Sequence, residues 1–159
     1  MKTLIVFYSL EGNTKIIADI LAEELDSECI ELKPDKEIPK GGFTKFLWGG
    51  KSVLFHEKPT LTNEFPDIDE YDTIFIGTPI WASSYTPPIA SFLEKVSIRG
   101  KKIALFACHA GGGAEKCFEK LKSQLNDNQI IGTITFTDPG KEEREKIKAQ
   151  LKHWLHEIT

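Results

Sequence analysis

Apolar positions along this chain alternate between two rhythms. Leu4–Tyr8 is an unbroken apolar run that predicts a buried strand, and Ile16, Ile17, Ile20, Leu21 and Leu25 then recur at helical spacing. The alternation continues to the end. Cys29–Leu32 reads as a short second strand that Pro34 terminates, and Thr73–Ile76 as a third, followed by Gly77. Pro87 and Pro88 suit the first turn of a helix carrying Ile89, Phe92, Leu93 and Val96 on one face. Ile103–Ala107 is a fourth strand, and a helix with Phe118, Leu121 and Leu125 follows its loop. Ile130–Phe136 is an uninterrupted fifth strand, and a last helix places Ile147, Leu151, Trp154, Leu155 and Ile158 on one face.

Five β–α units with near-continuous apolar strands predict one α/β domain over residues 1–159, a doubly wound five-stranded parallel sheet with helices on both faces. Ligands of such sheets bind outside the carboxyl ends of the strands, at the switch in strand order. The loops after strands one, three and four are therefore the ones to read for chemistry.

The first loop joins strand to helix through Ser9-Leu10-Glu11-Gly12-Asn13-Thr14. Two hydroxyls, backbone N–H groups and the positive end of a helix dipole meet there, which suits a phosphate. Neither G-x-x-x-x-G-K-[ST] nor G-x-G-x-x-G is present, so the site holds its phosphate without lysine or arginine. A plainer reading makes Asn13 or Thr14 only a helix cap. The second loop, Gly77 to Pro88, carries Trp81 and Tyr85, and either offers a wall to a planar ligand. The third, Ala107-Cys108-His109-Ala110-Gly111-Gly112-Gly113, has three consecutive glycines, which let backbone approach a flat ring and offer it N–H groups. Phosphate cradle, aromatic wall and backbone donors together describe a site for a phosphorylated flat heterocycle. Flavin mononucleotide (FMN) fits best.

Composition narrows the classes. The formal net charge is −4, the lysines are dispersed and no basic stripe occurs, which excludes a nucleic-acid binder. The apolar run at Leu4–Tyr8 is too short for a signal peptide or a membrane span. Cys29, Cys108 and Cys117 are odd in number and form no C-x-x-C, so a reduced, cytoplasmic setting is expected. His56, His109, His153 and His156 are scattered and predict no metal site.

The stretch from Ile5 to Leu21 resembles the flavodoxin signature at its constrained positions, including Phe7, Ser9, Gly12, Thr14, Ala18 and Leu21. Gly77-Thr78-Pro79-Ile80-Trp81 and the Pro-Pro-led helix extend the resemblance, which covers essentially the whole chain and is that of a short-chain member. It implies a flavodoxin-like sheet of order 2-1-3-4-5 with FMN as cofactor. Carried over residue by residue, Ser9, Leu10, Glu11, Gly12, Asn13 and Thr14 would hold the phosphate. Thr78, Pro79, Ile80, Trp81 and Ala82 would flank the ring, with Trp81 or Tyr85 against a face. Ala107, Cys108, His109, Gly111, Gly112 and Gly113 would contact its opposite edge. The family's activity is single-electron transfer between redox protein partners, a reductase and an acceptor. A monomer or weak dimer is expected.

Two departures matter. Many flavodoxins have a second-loop glycine whose peptide flips to accept a hydrogen bond from reduced flavin N5, and none lies between Thr78 and Pro88 here. His109 stands where an acidic residue is common, so its positive form would raise the potential if it lies near flavin N1. Cys108 reads as a small residue finishing a buried strand rather than a thiol partner.

Other readings compete. An FMN-dependent NAD(P)H reductase of quinones or nitro compounds could use the same scaffold, but no charged NADPH motif is evident. A phospho-receiver needs an aspartate where Gly77 stands, and a low-molecular-weight phosphatase needs an arginine where Ala114 stands. The aromatic segment Phe43–Phe55 is expected either to pack a helical stripe on the sheet or to dock a partner through Trp48 and Phe55.

Overall fold

The computed structural model describes residues 1–37 and 58–159. The Phe43–Phe55 segment therefore lies outside the described residues. Strands β1 (Thr3–Phe7), β2 (Glu28–Glu31), β3 (Thr73–Pro79), β4 (Lys102–His109) and β5 (Gln129–Thr137) form one sheet in the order β2-β1-β3-β4-β5. Every pairing is parallel. Helices α1 (Asn13–Leu25), α2 (Pro87–Lys95), α3 (Ala114–Gln124) and α4 (Arg144–Ile158) follow β1, β3, β4 and β5.

The three central strands β1, β3 and β4 bury both faces, and their side chains sort into two layers. Leu4, Val6 and Tyr8 join Ile74, Ile76, Ile89, Phe92, Cys117 and Leu121 on the α2/α3 side. Ile5 and Phe7 join Ile17, Leu21, Phe75, Phe106, Leu151 and Trp154 on the α1/α4 side. Period-two alternation within an all-apolar strand produces this division. Each fully buried Leu, Ile or Phe contributes about 1.5–3 kcal/mol, so the two layers dominate the fold's stability.

The expected strands are all present, with shifted ends. Strand β2 starts one residue earlier than the apolar pattern suggests, because Glu28 pairs with Leu4 across the edge. Strand β3 runs on to Pro79, pairing Thr78 with Ala107 and Pro79 with Cys108. A proline is tolerated there because it closes the strand. Strand β5 is continuous but carries a register shift opposite Ile103/Ala104. At α2, Pro87 and Pro88 occupy the first helical positions, as their missing N–H groups allow. Strand order reverses between β1 and β3, and this places the loops after β1, β3 and β4 around one crevice.

Candidate functional site

The loop after β1 forms a cradle. Gly12 precedes α1 with φ +98°, and no side chain caps the helix. The simple capping role for Asn13 or Thr14 is therefore not what the structure has. Ser9 Oγ instead accepts from the Gly12 N–H (3.1 Å) and the Lys15 N–H (3.2 Å), folding the loop back on itself. The first-turn amides of Asn13 and Thr14 have no intrahelical acceptor by geometry. With no acidic residue in the first turn of α1, the positive helix end faces the cavity uncompensated by the helix itself.

A cavity of about 100 Å³ opens above this loop, lined by Ser9, Leu10, Glu11, Asn13, Thr14, Pro79, Ile80, Trp81, Cys108, His109, Ala110 and Asp138. A second cleft of about 280 Å³ flanks the same loop and adds Gly12, Lys15 and Glu31. Thr14 is 1% exposed, and its buried Oγ1 makes no geometric hydrogen bond, with only the weak Cys108 thiol close enough to interact with it. An orphaned hydroxyl costs about 1–3 kcal/mol. Its place on a cavity wall, beside a helix N-terminus, fits an anion that would satisfy it. Lys15, the nearest cation in the loop, has its ammonium tied to Asp19 at 2.7 Å.

Trp81 supplies the aromatic wall. Its ring stands edge-on to Tyr8 with centroids 6.0 Å apart. Tyr8 is fully buried, and burial, reinforced by Glu37 and Glu31, pushes its phenol well above the ordinary range. Trp81 and Ser84 exchange backbone hydrogen bonds of 3.0 and 2.9 Å around Ala82 (φ +49°) and Ser83 (φ +57°). Positive φ at both central residues makes this a type I′ turn, a form that usually recruits Asn-Gly. The conformation that a glycine would ease is thus present here on ordinary side chains.

Thr78 lies behind the wall rather than on it. Its Oγ1 accepts from the Thr86 N–H (3.1 Å) and lies 3.2 Å from Thr86 Oγ1. This clamps the two ends of the Trp81 loop together. Tyr85 packs against the α2/α3 layer, and Ala107 is part of that core. Of the two aromatics expected to face a ligand, Trp81 is the one that lines the cavity.

The third loop is fixed by its glycines. Gly112 and Gly113 have φ +116° and +87°, which only glycine adopts without strain, whereas Gly111 faces open space. Gly113 leads into α3, and the Gly112 N–H donates to His109 Nδ1 at 2.9 Å. His109 Nε2 lies 3.5 Å from Thr137 Oγ1. The positive charge expected of His109 would require the imidazolium, which has no acceptor for Gly112. Cys108 lines the cavity, but burial pushes its thiol up to about 12, so it stays protonated. It sits in the α1/α4 layer and Cys117 in the opposite one, which separates the two sulfurs by the sheet.

A fourth loop also reaches the site, and sequence reasoning missed it. Asp138, just past β5, lines the cavity with φ +43°, and its N–H donates to the His109 carbonyl at 3.0 Å. The Gly140 N–H donates to Asn13 Oδ1 at 3.1 Å, so the Asn13 side chain anchors this loop while its backbone amide stays at the start of α1. In a parallel sheet every strand ends on the same edge, which was the available signal for Asp138.

Comparison with known proteins agrees with this geometry. A family model described as Flavodoxin matches residues 2–158. The flavodoxin-like domain-containing protein BilS of Clostridioides difficile (strain CD3) is 29% identical over 160 residues, covering 98% of this chain and 74% of that protein. A crystal structure of a candidate flavoprotein from Bacteroides uniformis superposes with TM-score 0.81 at 24% identity, covering 95% of this chain and 97% of that one. The flavoprotein of Lactobacillus acidophilus, crystallised in complex with FMN, superposes with TM-score 0.76 at 22% identity, covering 97% and 98%.

Proposed function

The chain belongs to the flavodoxin family, and from that premise we propose that it binds FMN in the cavity between Ser9–Thr14 and Trp81 and carries single electrons between a redox donor and an acceptor protein. The observation that carries this reading is the buried, unpartnered Thr14 hydroxyl on the cavity wall. The FMN complex of the Lactobacillus acidophilus structure supports the choice of ligand.

Bound FMN supplies the redox chemistry, and the protein binds, orients and shields. Thr14 Oγ1 and the free amides at the start of α1 are the donors for the phosphate. Ser9, already engaged by Gly12 and Lys15, keeps the loop in shape. Tyr8 holds Trp81 edge-on, and the Thr78–Thr86 clamp holds the loop that carries it.

Carrier rather than enzyme is favoured by the charges around the cavity. Among the described residues, its lining contains no lysine or arginine to bind the extra phosphate of NADPH. Anaerobic mixing of the FMN-loaded protein with NADH or NADPH tests the choice. Persistence of the oxidised flavin band until a separate reductase is added supports the carrier. Rapid bleaching by the nucleotide alone supports the quinone or nitro-compound reductase.

A further inference from the structure

The His109 ring holds the glycine loop after β4 by a bond that only its neutral form can make. Its Nδ1 accepts from the Gly112 N–H at 2.9 Å, which places the ring proton on Nε2, toward Thr137 Oγ1 at 3.5 Å. Gly112 is joined to Gly113, and Gly113 sits directly on the aromatic turn. A Cβ built at Gly113 would lie 2.9 Å from Ser83 Oγ and 3.3 Å from Ile80 Cγ2. A continuous set of contacts therefore runs from His109 through the glycines to the Trp81–Ser84 turn.

We propose that His109 is a positioning residue for the aromatic wall: its neutral imidazole fixes Gly112 and Gly113 against Ser83, and protonation of the ring releases Trp81. The inference rests on the FMN reading for its consequence, but its mechanism belongs to the protein alone. An imidazolium has two donors and no acceptor, so the Gly112 N–H would face another N–H, and the loop must move.

Three elements around His109 carry carboxylates. Asp138, after β5, lines the same cavity with its carboxylate 3.2 Å from Lys141. Glu11, in the loop after β1, lines it from the other side. Glu115 lies in the first turn of α3.

Two measurements test this across about pH 5.5 to 8, the range in which imidazoles titrate. The first is amide and indole NMR of the flavin-free protein. In wild type, the Gly112 amide and the Trp81 indole are expected to shift together with the His109 ring. In His109→Asn, whose side-chain oxygen can accept from Gly112 without titrating, both are expected to stay fixed. A Trp81 indole that does not respond while His109 titrates overturns the proposal. The second is FMN affinity, taken as the ratio of wild type to His109→Asn at each pH, which cancels the titration of the phosphate itself. The ratio at pH 5.5 is expected to be about fivefold lower than the ratio at pH 8, the loss of one hydrogen bond. A constant ratio, or one that rises in acid as a direct charge attraction to phosphate would make it, overturns the proposal. Absence of any FMN binding would contradict the cofactor reading and leave the NMR result to decide this one.

Discussion

Gly113 and Ser83 touch so closely that a methyl group on Gly113 would lie 3.1 Å from the Ser83 Cα. This contact joins the loops after β3 and β4 into one wall. Gly113→Ala also forces an L side chain into φ +87°. A cost of about 1–2 kcal/mol is expected from the backbone alone. Urea unfolding should show that loss, and FMN titration should show weaker binding as the Trp81 turn is displaced. Full retention of both would mean that the two loops are not packed as described.

Thr14 separates stability from function. Its hydroxyl is buried without a partner, so Thr14→Val removes an unsatisfied group while keeping the shape. The flavin-free variant should be as stable as wild type, or more stable by up to about 1 kcal/mol. FMN affinity should fall at least about tenfold, the effect of losing a hydrogen bond to a charged group. A variant that unfolds more readily and binds FMN normally would make Thr14 a structural residue only.

The type I′ turn at Ala82 and Ser83 lacks the residues that relieve it. The double variant Ala82→Asn/Ser83→Gly should raise unfolding stability by about 1 kcal/mol, because Asn-Gly adopts this turn with less strain. Denaturant midpoints with unchanged slope would check it. A fall in stability would show that the turn is not under strain.

Much of this was legible in the sequence, and the misses have physical causes. The strands and the helix faces were readable because apolar periodicity is local. The loop at Ser9–Thr14 was readable as a candidate phosphate cradle because its residues are contiguous. What could not be read were partners distant in sequence. The backbone amide of Asn13 was readable as a phosphate donor, but the anchoring of Gly140, 127 residues away, by its side-chain oxygen was not. Thr78 looked like a ring contact, but Thr86 turns it into a clamp. His109 looked like a possible positive charge, and its bond to Gly112 requires the neutral ring. Asp138 was missed because the loop after β5 carries no distinctive motif, only a place on the shared edge.

Buried thiols give the protein a pH signature. Burial pushes Cys117 and Cys108 up to about 12 and Cys29 up to about 11, from an ordinary value of 9.0. Above about pH 9 the unfolded chain releases these protons while the folded one retains them, so stability falls as pH rises toward the folded values. Each thiol steepens that fall by up to about 1.4 kcal/mol per pH unit. Cys117→Ala should flatten the decline by about this amount between about pH 9 and 11 in urea unfolding. An unchanged slope would place Cys117 in contact with water.

The central claim is that the cavity between Ser9–Thr14 and Trp81 holds FMN. Titration of the flavin-free protein with FMN, followed by flavin fluorescence and by the absorbance bands near roughly 375 and 450 nm that flavins carry, tests it most directly. Saturable quenching at one FMN per chain is expected, with affinity lowered at least about tenfold in Thr14→Val. No saturable change in either signal, or equal binding by the variant, would contradict it.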